Sequence, residues 1–313
     1  MVNSFCDVLQ YQLNAAEKRK TFRYYPLLTV CALAENYVLL KGRSLTEIER
    51  KRITLMSSMA TLCDDLIDED GWTEQQLLDL LDSKIAYSSL SKKAKLIVAM
   101  NEELKKLQIK PGYWDQLRKA FHGQADSIRQ HQEDLSLEET IAIAREKNGN
   151  YCLTVAELID EKWTATERQI VYQHGMMGQM TNDIYDTYKD THEGIFTMVK
   201  KVRDVAHLRE IFVTEVRKMH QLIMQLDISP ARKKKIIERY GCMDAFTMVG
   251  IDTLHRVAKK YGEPIDWRAI PKSDLQPDMA KFWSRKKYFK YVVWLSKVRG
   301  KSYEARGKRL TAS

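Results

Sequence analysis

Helix breakers are scarce in this chain: its 313 residues hold 6 prolines and 13 glycines. Proline costs a helix interior about 3 kcal/mol and glycine about 1 kcal/mol relative to alanine, so the scarcity suits long helices. Sustained alternation of apolar and polar positions is also missing, which disfavours half-buried strands. No Ser-, Gly- or Pro-rich stretch marks a linker, no segment is of low complexity, and no repeat of about 20–50 residues is present. The 5 cysteines, Cys6, Cys31, Cys63, Cys152 and Cys242, are scattered and odd in number. They lack metal-type spacing and read as reduced core thiols of a cytoplasmic protein. The 7 histidines form no H-x-x-x-H pair, which disfavours a zinc enzyme. No apolar run approaches the about 20 residues of a membrane span. The start, Met-Val-Asn-Ser-Phe-Cys-Asp, lacks the basic and apolar regions of a secretory signal, so none is expected.

Charge is present but unevenly placed. The chain carries a net +9, and residues 281–313 hold 11 Lys/Arg against Glu304 alone. The remainder is close to neutral, which excludes a nucleic-acid-binding body as the natural reading. Apolar residues recur at helical spacing almost everywhere, and the expectation is an all-α domain over 1–276. Residues 277–313 form a basic C-terminal helix and tail, part of that domain or packed on it. Helices are expected near 22–41, 45–69, 73–83, 92–107, 112–133, 137–161, 165–191, 204–226, 230–240, 243–261 and 277–298. Ser44 with Glu47 and Ser136 with Glu139 read as capping boxes, and Pro111 and Pro230 as first-turn prolines. Asn148-Gly149-Asn150 reads as a helix break or a simple kink.

Two short acidic strings stand out. Asp64-Asp65-Leu66-Ile67-Asp68 closes one apolar helix, and Asn182-Asp183-Ile184-Tyr185-Asp186-Thr187-Tyr188-Lys189-Asp190 closes another. Residues four apart share a helix face, so Asp64 and Asp68 point one way, with Asp65 beside them. Asn182, Asp186 and Asp190 form a second stripe, and Asp183 is expected to pair or point away from it. A lone acidic patch is usually a solvated surface. Here Leu55, Met56, Met59, Leu62 and Cys63 precede the first string, and Met176, Met177 and Met180 precede the second. Like charges four apart also destabilise a helix unless something compensates them. Hard divalent cations such as Mg²⁺ take oxygen ligands from carboxylates and substrate phosphates. Two such stripes facing each other across a helical cavity would hold Mg²⁺ against a diphosphate.

These residues carry a resemblance. Asp64-Asp65-Leu66-Ile67-Asp68-Glu69 resembles the first aspartate-rich motif of the class I terpenoid synthases. The second string is similar to their N-D-x-x-S-x-x-K-E motif, with Asn182, Lys189 and Asp190 at the Asn, Lys and Glu positions. Asp186 stands where the family has Ser or Thr. The string Gly175 to Asp186 also resembles the corresponding motifs of trans-prenyl diphosphate synthases and of squalene and phytoene synthases, which share one fold. Lys147 resembles a prenyl-synthase lysine, and Tyr151-Cys152 with Val155-Ala156 matches a squalene-type string.

The resemblance implies a bundle of long helices around a cavity, and Mg²⁺, about three ions, held by Asp64, Asp65, Asp68, Asn182, Asp186 and Asp190. It implies Lys189, Lys147 and Arg145 as diphosphate contacts, with Tyr37, Tyr151 and Tyr172 as candidate faces for a carbocation. The arginine pair that follows the first motif in chain-elongating enzymes is missing; Gly71-Trp72-Thr73-Glu74 stands there instead. One allylic prenyl diphosphate, farnesyl or geranylgeranyl, is therefore the expected substrate of a terpene cyclase, a lyase that releases diphosphate. Lys260-Tyr261, or Arg285 with Tyr288, stand where the cyclases carry a C-terminal Arg-Tyr pair. Two rivals remain: a prenyl-transferring enzyme of the elongating or squalene type, and a non-catalytic helical binding protein. A homodimer is compatible with any of the three. In the tail, Phe282, Trp283, Phe289, Val292, Val293 and Leu295 are interleaved with cations. That helix could lie on an anionic membrane, pack on the body, or close over the diphosphate site.

Overall fold

The computed structural model describes residues 13–297, and among them no strand is present. The described residues fall into two units, 13–128 with 146–164, and 129–145 with 165–297. The all-α expectation holds throughout both.

The first unit begins with a helical run over 15–41, α1. It contains two widened, π-type stretches, Lys20–Tyr24 and Thr29–Ala34, and ends at Gly42, whose φ of 75° favours glycine. Helix α2, Glu47–Asp68, starts on a capping box formed by Thr46 and Glu49, two residues later than the Ser44 spacing suggests. Its apolar face, Ile53, Leu55, Met56, Met59, Leu62 and Leu66, is buried to 1% exposure or less. That face packs on α1 and on α4, so the acidic string is carried at the end of a helix with one fully buried face. Gly71, at φ 69°, turns the chain after α2 as expected, and Trp72 N–H closes back on the Leu66 carbonyl at 2.9 Å. Helices α3 (Glu74–Leu81), α4 (Lys92–Lys105) and α5 (Gly112–Asp126) follow.

Helix α6, Leu137–Glu157, runs without interruption through Asn148-Gly149-Asn150, so the expected break is absent. The reason is local. Asn150 Nδ2 donates to the Glu146 carbonyl at 2.9 Å, and its Oδ1 accepts from Gln116 Nε2 at 2.9 Å. Ser136 and Glu139 form the expected box at its start.

Around the start of α2 two buried charges, Glu49 and Arg52, tie together distant parts of the first unit. Glu49 Oε1 accepts from Arg43 at 2.7 Å and from Asp160 N–H at 2.7 Å. Its Oε2 accepts from Arg43 and from Thr46 N–H, both at 2.8 Å. Arg52 donates to the Leu107 carbonyl at 2.8 Å and to Asp160 at 2.7 Å.

The second unit holds α7 (Ala165–Tyr185), α8 (Thr187–His192), α9 (Met198–Lys201), α10 (Val205–Gln225), α11 (Pro230–Tyr261), α12 (Lys272–Leu275) and α13 (Phe282–Lys297). Helix α7 packs on α10 and α11, and α13 lies along α11. Gly241 does not divide α11, contrary to the expected pair of shorter helices. A Cβ there would meet the Leu295 Cβ at 3.5 Å, an ordinary contact, so α13 runs beside this glycine and α11 continues through it. At Gly250 an added Cβ would stand 2.5 Å from Ile184 Cγ2 and 3.1 Å from Tyr185, which presses α11 against the second acidic string.

Candidate functional site

Helix α2 places Asp64, Asp65 and Asp68 in its last two turns, with Asp65 buried and Asp68 exposed. Three other parts of the first unit reach the same spot. Lys20, from the first π-type stretch of α1, donates to Asp65 Oδ1 at 2.5 Å. Gln124, at the end of α5, donates to Asp68 Oδ1 at 3.3 Å. Lys147, on α6, donates to Ser127 Oγ at 3.3 Å, and its charge acts on Asp64. The Asp64 carboxyl is pushed up to about 6. Burial is the main cause, and Asp68 and Asp65 add repulsion; Lys147 and Lys20 offset part of it. Carboxylates and ammonium groups thus converge, the first kind suited to a hard cation and the second to phosphate oxygens.

Lys147 is set by a close backbone approach. A Cβ on Gly123 would come to 2.9 Å from the Lys147 Cα and 3.0 Å from its N, so α5 and α6 touch main chain to main chain. Gly178, in α7, has nothing within 4 Å of an added Cβ. The two helix glycines should therefore respond with opposite sign to alanine. Gly123→Ala is expected to destabilise by about 2 kcal/mol, because backbone cannot swing aside. Gly178→Ala is expected to stabilise by about 0.5–1 kcal/mol through helix propensity. Urea denaturation of the two variants beside the parent checks both signs.

In the second unit the acidic string spans the junction of α7 and α8. Asp186 interrupts the helix locally, at φ −94° and ψ 8°. The i to i−4 bonds nevertheless persist through it, from Asp186 N to the Asn182 carbonyl and from Asp190 N to the Asp186 carbonyl, both 2.8 Å. Asn182 is exposed, Asp186 half-buried and Asp190 buried. The Asp190 carboxyl is pushed up to about 8 by burial first, then by the charges of Asp183 and Asp186. Asp183 pairs, as one of the two expected alternatives has it, and its charge also acts on the stripe. At 100° per residue, position 183 lies next to position 190 on the helix surface. Its Oδ1 accepts from Gln179 at 2.7 Å. Among the described residues neither Asp186 nor Asp190 forms an ion pair; the Lys200 ammonium instead meets the Asp190 carbonyl at 3.4 Å.

The three basic candidates differ. Lys147 lies beside the first carboxylate group. Lys189 is exposed, 3.8 Å from Glu193, and its charge reaches Asp186 and Asp190. Arg145 is engaged elsewhere: it donates to Gln173 and to Glu215, each at 3.0 Å, and Gln173 binds the same Glu215 at 2.6 Å. The guanidinium is neutralised by that buried carboxylate. Lys260 and Tyr261 both bond Asp274, at 2.8 and 2.6 Å, and close the end of α11. Of the aromatic candidates, Tyr37 is fully buried, Tyr151 shares a hydrogen bond of 3.0 Å with Thr29, and Tyr172 is half-buried.

Lys20, Gln124, Asp183 and Lys200 were not among the expected site residues. Spacing along one helix could have found Asp183; for Lys20 the signal in sequence is a faint echo, in Lys20-Thr21-Phe22-Arg23, of the early Gly-Lys-Arg of prenyl synthases. Asp244 is a further group outside both strings, buried in α11 with its carboxyl held far above the ordinary range by burial.

Among the described residues no group of three His, Cys, Asp or Glu side chains stands ready to hold a metal ion. The donor set still fits one. It is made of oxygens, and both Asp64 and Asp190 are crowded by neighbouring carboxylates in buried surroundings, a strain that a divalent cation relieves.

No family model and no curated protein matches this sequence. A solved structure of a dehydrosqualene synthase in complex with ligand is similar over 90% of this chain and 99% of its own, with 13% identity and a TM-score of 0.41.

Proposed function

We propose that the protein is a Mg²⁺-dependent isoprenoid synthase that ionises a linear allylic prenyl diphosphate and cyclises the cation it forms. The observation that carries this reading is the meeting of Asp64, Asp65 and Asp68 with Lys20 and Lys147 from two separate helices. Opposite charges gathered at one partly open spot suit a substrate group that is itself an anion chelating a cation. The hard step is heterolysis of the allylic C–O bond, which moves negative charge onto the departing diphosphate. When bound, Mg²⁺ stabilises that charge as a Lewis acid.

The residues of this chain then divide the work. Asp64, Asp65 and Asp68 would hold ions from the first unit; Asn182, Asp186 and Asp190, with Asp183 beside them, would hold one from the second. Lys147 and Lys20 would donate to the phosphate oxygens, groups already oriented before charge develops. Lys189 is the corresponding donor at the second string, reached by leaving Glu193. Arg145 acts indirectly in this reading, holding Gln173 and Glu215 in place.

Cyclisation is preferred over prenyl transfer because the arginine pair for a second diphosphate is missing after Asp68. One assay separates the choices. The protein is incubated with geranyl, farnesyl or geranylgeranyl diphosphate, with and without isopentenyl diphosphate and Mg²⁺, and diphosphate and hydrocarbon products are measured. Hydrocarbon or alcohol from farnesyl or geranylgeranyl diphosphate alone, lost on chelation, is the expected result. Elongated diphosphates or head-to-head dimers would overturn cyclisation and keep prenyl chemistry. No Mg²⁺-dependent release from any substrate would overturn the enzyme reading altogether.

A further inference from the structure

Helix α13 has two opposed apolar faces, and only one is covered. Tyr291 and Leu295 are 5% and 0% exposed against the second unit. Turning at 100° per residue, Phe282, Phe289 and Val293 fall within a narrow stripe on the opposite side. They are 67%, 64% and 51% exposed, and Trp283, about 100° round the helix from Phe282, is 67% exposed. Lys286 sits inside the stripe with its ammonium 5.1 Å from the Trp283 ring, and Lys290 and Arg285 flank it. Lys287 and Lys281 are drawn to Asp252 and Asp278. Arg285, Lys286 and Lys290 form no ion pair among the described residues. The helix itself, Phe282–Lys297, contains no acidic residue.

We infer that this stripe docks the protein peripherally on an anionic lipid bilayer. An aromatic and aliphatic strip rimmed by unpaired cations matches the boundary between acyl chains and acidic headgroups, where rings sit at the interface and cations meet phosphates. Charge selects this occupant over a second copy of the chain. A two-fold contact would set Lys286, Lys290 and Arg285 against themselves, with no carboxylate on the helix to answer them. The mode is lying on the surface: no helix among the described residues is long and apolar enough to cross a membrane. At 16 residues the helix is about 24 Å long, enough to present the whole stripe in the bilayer plane. The inference stands independently of the reaction proposed above.

Flotation of the full chain with lipid vesicles tests it. The protein should float with vesicles containing about one third phosphatidylserine, stay behind with pure phosphatidylcholine, and be released as salt approaches about 0.5 M. Phe289→Ser with Val293→Ser should weaken binding at least about tenfold. Lys286→Glu with Lys290→Glu should weaken it by about 25-fold or more, each cation near the surface contributing about five-fold. All four positions are exposed, so the unfolding midpoint by circular dichroism should not move. Equal flotation with both lipids, no flotation at all, or unchanged binding by the Phe289/Val293 variant would each overturn the inference. So would a wild-type dimer in analytical ultracentrifugation, without vesicle binding, that the same variant dissociates.

Discussion

Asp64→Ala and Asp186→Ala are each expected to lower kcat for diphosphate release by at least about a hundredfold, the scale of losing one preorganised charge-stabilising group. Folding should survive both changes. Asp64 is a half-buried carboxyl whose charged form is disfavoured by desolvation, and its removal relieves crowding with Asp68 and Asp65. Mg²⁺ is expected to raise the unfolding midpoint of the parent protein and to raise that of each variant less. If the two strings serve one ionisation step, the double variant should be scarcely slower than either single one, as for residues that act as a unit. Rates near wild type under limiting Mg²⁺ in either single variant would remove the metal assignment. Multiplicative losses in the double variant would instead mean that the strings act on different steps.

The second large effect concerns stability. Glu49→Gln is expected to destabilise the protein by about 3 kcal/mol at neutral pH, because Arg43 loses a buried partner. Hydrogen bonds from Arg43, Thr46 N–H and Asp160 N–H hold the Glu49 carboxyl at about 2, below its ordinary 4.5, against the opposing pull of burial. A carboxyl depressed in the folded state contributes stability above its unfolded pKa. That contribution is lost as pH falls through the folded value. Acid unfolding of the parent should therefore include a loss of about 3 kcal/mol between pH 4.5 and about 2. The Gln variant should lack this component and start from the lower stability. Urea titrations at a series of pH values measure both, and a variant with unchanged acid dependence would show that Glu49 titrates as an ordinary carboxyl.

The helices were readable because their signals are local. Apolar spacing marked α2, α7 and α10, and Ser136 with Glu139 capped α6 as the spacing requires. The two misread glycine regions show where local signals end. Gly241 and Gly149 look like breakers in sequence, yet neither ends a helix. One lies beside α13 in the middle of α11, and next to the other Asn150 bonds Gln116 and the Glu146 carbonyl. The acidic strings were legible for the same reason as the helices, each being a pattern along one face. Lys20 was not, since its contact with Asp65 joins residues 45 apart in sequence. For Arg145 the sequence leaves the partners out of view. Its partners, Gln173 and Glu215, lie 28 and 70 residues away, and no spacing announces that they will claim its charge.

The widened turns of α1 have a consequence for insertions and deletions. Tyr25 N–H bonds the Lys20 carbonyl and Glu35 N–H bonds the Val30 carbonyl, five residues back in each case. Each such turn accommodates one residue more than an α-turn. Removing one residue from the Lys20–Tyr24 stretch would let it tighten to ordinary α geometry, with the flanking turns kept near their present azimuth. The same deletion in α2 would have no surplus to absorb it and would turn its buried face outward. The azimuth of Lys20 over Asp65 would therefore survive the loss of one residue from this stretch. A chain one residue shorter between Lys20 and Pro26 would keep that ammonium in place, with an ordinary α-turn where this one is widened.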